Sequence, residues 1–162
     1  MTEPPRVIRV GVERVLPLRH AVLRPGRPFE SARMEGDDGE HAVHLAVLDD
    51  SGEIGSAAAV ACGSVMPEAP SGTPESWVPE GLRGSPWRIR GMAVAATGQG
   101  RGLGTEILAG LLDAARDAGA GWVWCASRLR AENLYVRAGM VRHGGEWDIP
   151  GIGPHRFFVR AF

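Results

Sequence analysis

The 162-residue chain contains no lysine; all 18 of its basic residues are arginine. No Schiff-base lysine and no Walker lysine is therefore available. Gln99 and Asn133 are the only side-chain amides, a composition that reads as GC-rich bacterial coding. There is one tyrosine, Tyr135, and there are two cysteines, Cys62 and Cys125. Both cysteines sit in apolar runs, which predicts buried, reduced thiols. With no histidine near them in sequence, no metal site is expected. No apolar run reaches the ~18 residues a membrane span needs. The opening Met-Thr-Glu-Pro-Pro-Arg has no apolar signal core, so the cytoplasm is the expected location. An excess of one charge is missing too. Nineteen acidic residues against 18 basic leave a net charge of −1, which argues against nucleic-acid and membrane-surface partners.

What is present belongs to a globular protein: 44% hydrophobic and 23% charged residues. The length suits a single domain over residues 1–162. Residues 7–10 read as a short strand. Residues 13–24 read as a helix with Val15, Leu18 and Val22 on one stripe and Pro17 near its start. A polar stretch over 25–40 carries Glu35, Asp37, Asp38 and Glu40, expected to be mostly a solvated face. Strands at 43–48 and 54–65 flank an Asp49–Gly52 turn, a hairpin pattern. Residues 67–86 hold five prolines and form a long loop of the kind that is often functional. Its Trp77 and Val78 either line a pocket or pin the loop. Strand 87–94 precedes the clearest helix, 102–118, with Leu103, Ile107, Leu108, Leu111, Leu112 and Ala115 on one face. Strand 122–126, a short helix 131–138 and strands 140–148 and 157–162 complete the chain. Trp122 and Trp124 share a face by the period of two. Residues 151–156 read as a tight connection. This order predicts a mixed α/β sheet flanked by helices.

The most informative segment is Gln99-Gly100-Arg101-Gly102-Leu103-Gly104-Thr105, which follows a strand and opens the best helix. Such a junction offers unpaired backbone N–H groups and the positive end of a helix dipole, an anion cradle. A P-loop would need Gly-Lys-Ser/Thr, and the glycines at 98, 100, 102 and 104 do not fit a dinucleotide fingerprint. A surface turn shaped by its glycines is the plain alternative; another bound nucleotide is a second.

Gln99-x-x-Gly102-x-Gly104 resembles the Q/R-x-x-G-x-G/A signature of the GNAT superfamily of acyl-CoA-dependent N-acyltransferases. The preceding Ile89-Arg90-Gly91-Met92-Ala93-Val94 is similar to that family's I-x-x-L-x-V strand. Residues 131–140, with Asn133, Tyr135, Gly139 and Met140, resemble its N-x-x-x-Y-x-x-x-G-F segment, with Asn shifted and Met in place of Phe. The three blocks occur in order over residues 87–140. The first 86 residues match in element order only.

The resemblance implies the GNAT fold, acetyl-CoA as cofactor and an N-acetyltransferase activity. Implied cofactor contacts are the amides of Gly100, Arg101, Gly102, Leu103, Gly104 and Thr105 on the pyrophosphate, with Gln99 beside them. The pantetheine arm would pair with the backbone of Met92, Ala93 and Val94, one amide at Met92 or Ala93 would face the thioester carbonyl, and Asn133 would touch the cofactor. Tyr135 would protonate the leaving thiolate as general acid; its plain alternative is a core aromatic. Many relatives have an acid or histidine where this chain has Arg90, which cannot be a base. The candidate bases are then His44, His155, Glu146 and the Glu35–Asp38 cluster. The acceptor would be a small-molecule or peptide amine. The chain would form a homodimer through its final strands. The competing reading is an acyl-CoA-binding sensor without turnover.

Overall fold

The computed structural model describes residues 5–49, 58–70 and 79–162. Strands β1 (Ile8–Val10), β2 (Val43–Leu48), β3 (Ala59–Pro67), β4 (Pro86–Val94), β5 (Trp122–Arg128), β6 (Val141–Ile149) and β7 (Gly153–Ala161) form a seven-stranded sheet in the order β1-β2-β3-β4-β5-β7-β6. Every neighbouring pair is antiparallel except β4 and β5. Helices α1 (Leu16–Leu23), α2 (Leu103–Asp117) and α3 (Glu132–Arg137) cover it. The mixed α/β sheet read from the sequence is the one observed.

Helix α2 is the crossover that lets β4 and β5 run parallel. The six apolar residues read as its inner face are all buried, in the main core with Leu45, Val65, Trp87, Ile89, Val123 and Phe158. Each Leu or Ile buried this way contributes about 1.5–3 kcal/mol. The opposite face of the sheet is covered more thinly. There Val15, which caps α1, and Leu18 within it pack on Ala46, Cys62 and Ala93, and Trp122, Trp124 and Val159 form a separate patch. The shared face of Trp122 and Trp124 is thereby confirmed.

Three boundaries differ from the sequence reading. The first helix is split: Val12–Arg14 is a 3-10 turn and α1 begins at Leu16. Pro17 lies in its first turn, where a missing N–H costs nothing, so Pro17 marks the start of the α-helix. Strand β3 begins at Ala59; most of the turn and residues 54–57 lie outside the described residues, as do Trp77 and Val78. The connection expected at 151–156 is shorter. Strand β7 starts at Gly153, because Gly153, Pro154 and His155 pair with Ile149, Asp148 and Trp147 of β6. His155 is therefore a strand residue rather than a loop residue.

Two irregularities in β4 break the regular pairing of the sheet. Between the pairs Cys62↔Ala93 and Ser64↔Arg90, β3 advances two residues while β4 advances three. Gly91, at φ 68°, absorbs the extra residue as a bulge. The bulge exchanges the faces of the strand. Before it, Trp87 and Ile89 point to α2; after it, Met92 and Val94 do, and Ala93 turns to the α1 side. In addition, β4 pairs with β5 only from Pro86↔Trp122 to Arg88↔Trp124. Both strands continue, to Val94 and Arg128, without pairing to each other.

Candidate functional site

The divergence of β4 and β5 opens a cavity of about 720 Å³. Of the residues the sequence singled out, Met92, Ala93, Val94, Gln99, Gly104 and Tyr135 line it. The edge of β4 from Ile89 to Val94 has no strand partner there among the described residues, so its backbone groups on that side face the cavity.

Helix α2 starts beside the end of β4. Gly100 and Gly102 both take φ 75°, a left-handed conformation that other L-residues adopt at a cost. A Cβ at either would meet nothing within 4 Å, so backbone shape, not protein packing, calls for glycine here. The first helical bond runs from the Glu106 N–H to the Gly102 carbonyl at 3.1 Å. The amides of Leu103, Gly104 and Thr105 precede that ladder and are donors at the positive end of a 15-residue helix. Gly100, Arg101 and Gly102 are exposed around this turn, and the Leu103 side chain is buried in the core. Thr105 lines a neighbouring groove with Leu108 and Leu134. Asn133 is exposed in the first turn of α3 and lines neither space.

Tyr135 is held by α3. Its ring stacks on Phe158 of β7, with centroids 5.6 Å apart, and only 6% of the residue is exposed. Burial pushes the phenol well above the ordinary tyrosine range, and the neighbouring Cys125 adds to this; a hydrogen bond with Ser127 acts the other way. The hydroxyl is thus a neutral donor at any physiological pH. The side chain is packed on Phe158 and also lines the cavity.

The candidate bases separate clearly. His44 has both ring nitrogens engaged, with Nδ1 2.6 Å from Ser64 Oγ and Nε2 2.9 Å from the Asp37 carbonyl, and does not line the cavity. Glu146 pairs with Arg156 on the surface. Glu35 is exposed and accepts from Arg90 only through its carbonyl, and Asp38 pairs with Arg33. His155 does line the cavity. Its Nδ1 lies 2.8 Å from the Gly153 carbonyl, which can only accept; Nδ1 therefore carries the proton, and Nε2 of the neutral ring is an acceptor. Trp147 lies against the ring at 5.8 Å.

The acidic run is solvated at Glu35, Asp38 and Glu40, as the sequence suggested, but not at Asp37. Asp37 is buried and clasps Arg19, itself fully buried, through bonds of 2.6 and 3.0 Å. Arg19 also donates to Ser64 Oγ at 2.7 Å and the Ala32 carbonyl at 3.2 Å. Burial by itself would raise the Asp37 carboxyl, but the Arg19 hydrogen bonds, the Met34 amide and the charge of Arg19 outweigh it and hold the group below the usual range. Sequence reasoning missed this network. The available signal was a charge on an apolar stripe, since Arg19 falls four residues after Val15 and three before Val22.

Apart from Arg90, it also missed the arginines of the cavity. Arg24, Arg88, Arg90, Arg128 and Arg130 all line it. Glu68 takes Arg88 at 2.8 Å and lies 4.0 Å from Arg90, and Arg88 covers the Trp124 ring at 4.7 Å. Arg90 is thus a fixed cation on the cavity wall. Cys62 and Cys125 are free, buried thiols away from the cavity; burial pushes Cys62 up to about 12 and raises Cys125 as well. No group of metal-ligating side chains occurs among the described residues.

Known proteins match this arrangement. The model of the Acetyltransferase (GNAT) family matches residues 14–140. The chain is 29% identical to the uncharacterized N-acetyltransferase YitI of Bacillus subtilis (strain 168), over 90% of this chain and 89% of that protein. Among solved structures, Arabidopsis thaliana NAA60 in complex with acetyl-CoA is similar with a TM-score of 0.73 at 13% identity, over 97% of this chain and 98% of that one. Escherichia coli ElaA is similar with a TM-score of 0.68 at 16% identity, over 96% and 97% of the two chains. The likenesses to solved structures show the fold, and the match over 14–140 shows the family: this chain belongs to the GNAT acetyltransferases, acyl-CoA-dependent N-acyltransferases whose co-substrate is acetyl-CoA.

Proposed function

We propose that this chain, as one domain over residues 1–162, moves the acetyl group of acetyl-CoA to the primary amine of a small-molecule or peptide acceptor by direct attack. The carrying observation is the gap between β4 and β5, whose cavity brings together Tyr135, the unpaired edge of β4 and the start of α2.

In this reading the amides of residues 100–105 hold the pyrophosphate and Arg101 adds charge, with Gln99 and Asn133 flanking the cofactor. Met92, Ala93 and Val94 take the pantetheine arm as a further strand. One amide at Met92 or Ala93 donates to the thioester carbonyl; losing such a donor costs about 3–4 kcal/mol of barrier lowering. A lysine-like amine titrates near ~10.4, so freeing it at pH 7 costs roughly 4.6 kcal/mol. His155 Nε2 is the group in the cavity suited to take that proton. The amine nitrogen bonds to the acetyl carbon, the carbon–sulfur bond breaks, and the Tyr135 hydroxyl delivers a proton to the sulfur. Burial makes that phenol a weaker acid than usual, so the proton moves as charge builds on sulfur rather than beforehand.

Two further expectations go with this reading. The exposed Val141 of edge strand β6 supports a homodimer through β6 and β7. The free buried thiols support a reducing cytoplasmic location; no helix among the described residues is long and apolar enough to cross a membrane. The test is thiol release from acetyl-CoA with a panel of primary amines, beside calorimetry with acetyl-CoA alone. Amine-dependent release with measurable binding heat is expected. The absence of both amine-dependent release and binding heat would overturn the proposal.

A further inference from the structure

The cavity wall away from α2 carries an unbalanced positive charge. Five arginines line the cavity and no aspartate or glutamate does. Two of them, Arg88 and Arg90, share one carboxylate, that of Glu68, at 2.8 and 4.0 Å. The other three, Arg24, Arg128 and Arg130, have no carboxylate partner among the described residues. Arg24 makes one long contact, 3.5 Å to the Leu23 carbonyl.

The parity of β5 assigns the side. Val123 and Cys125 pack in the core beneath α2 with Tyr135 and Phe158, so the odd positions of the strand face the α2 side. Trp122 and Trp124 point the other way, and Arg128 continues their row. Arg128 is also the cross-strand partner of His155, so the two side chains stand on the same face. Arg24 arrives on this face at the end of α1. Burial lowers Arg128, and the nearby charges of Arg130 and Arg24 lower it further, as expected for like charges gathered without a counter-ion. Helix α2 packs on the opposite face of the sheet from the row of Trp122, Trp124 and Arg128, although Gln99 and Gly104 at its start line the same cavity. Leu23, Ile149 and Ile152 add an apolar wall beside it.

Resting on the transferase reading, we infer that the acceptor is an anionic amine: a small molecule with an apolar body whose carboxylate or phosphate is gripped by Arg24 and Arg128, aided by Arg130. A guanidinium pair fixes an oxyanion in a defined orientation, which would present the amine toward His155 and the thioester. A cationic polyamine or aminoglycoside would meet five like charges instead.

The test compares matched amines at saturating acetyl-CoA: leucine against leucinamide, phenylalanine against phenylalaninamide, and 2-aminoethyl phosphate against ethanolamine. The amides have the more readily deprotonated nitrogen, so preference for the acids would run against intrinsic reactivity. At least about tenfold higher kcat/KM is expected for the anionic member of a pair, the size of one charge-assisted bond. The pair that discriminates tells carboxylate from phosphate. The double variant R24Q/R128Q should abolish the preference while acetyl-CoA affinity by calorimetry and the melting temperature stay as in the wild type. R130Q serves as a milder variant if the double one folds poorly. Equal or better turnover of the neutral members overturns the inference. So does the absence of any anionic probe that is turned over or raises the melting temperature of the CoA-loaded protein. Weakened acetyl-CoA binding in the folded variant overturns it too, by giving the cluster to the cofactor. Failure of the wild type to bind acetyl-CoA would instead defeat the transferase reading itself.

Discussion

Gly91 lies directly on the guanidinium of Arg19: a Cβ built on it would fall 2.5 Å from Arg19 Nε and 2.9 Å from Cζ. The bulge that turns β4 over, and so exposes Met92 to Val94 along the cavity, thus rests on a buried cation from α1. Gly91→Ala therefore meets two penalties, a positive φ and a contact that the clamped Arg19 cannot relieve. The expected outcome is a loss of about 1–3 kcal/mol or more in urea unfolding, with weakened acetyl-CoA binding. Wild-type stability and affinity in this variant would show that the bulge has no such role.

The same cation governs the response to acid. The folded Asp37 carboxyl titrates below its unfolded value, near ~3.9. Its stabilisation is fully present above the unfolded value and is lost as pH falls through the folded one. Stability should thus decline below about pH 4, a decline that Asp37→Asn removes because the group no longer titrates. At neutral pH this variant should be about 3–5 kcal/mol less stable, since it leaves Arg19 charged, buried and unpaired. Thermal melts of both proteins between neutral and acidic pH read the two effects.

Tyr135→Phe keeps the ring stacked on Phe158 and removes only the hydroxyl. Its melting temperature should hold within a degree or two, while kcat falls about 10²-fold, in the range of a lost general acid. Because burial raises the phenol, no basic limb from this group should appear in the wild-type profile up to the ordinary tyrosine value of ~10. Full turnover in the variant would assign Tyr135 to the core alone.

His155→Gln tests the base. Glutamine retains a donor for the Gly153 carbonyl but has no titrating nitrogen to receive the amine's proton. The acidic limb of kcat/KM should disappear and the rate at neutral pH should fall about 10²-fold or more. His44→Gln, altered at a residue outside the cavity with both ring nitrogens engaged, should leave that limb in place. An unchanged limb in the His155 variant would send the proton elsewhere.

The inner face of α2, the order of strands and helices and the glycine turn at 98–104 were all legible in the chain, because each is a local pattern. A period of 3.6, a period of 2 and positive-φ glycines leave their mark within a few residues. Tyr135 and the edge of β4 were legible as well, through three short motifs. Which of the candidate bases lines the cavity was not, since His155 reaches it only by the pairing of β7 with both β5 and β6. Asp37 looked like one of several solvated acids until folding set it 18 residues back against Arg19. Arg24 and Arg128 lie far apart along the chain and come to line one cavity only through the fold. The amino-acid order by itself thus determined the elements and the glycine turn at the start of α2, where backbone conformation and hydrophobic period are local properties. Which charges are neutralised, which histidine keeps a free nitrogen and what sign the cavity presents were decided by tertiary contacts. Electrostatic pairing and desolvation depend on distances in space that no spacing along the chain encodes.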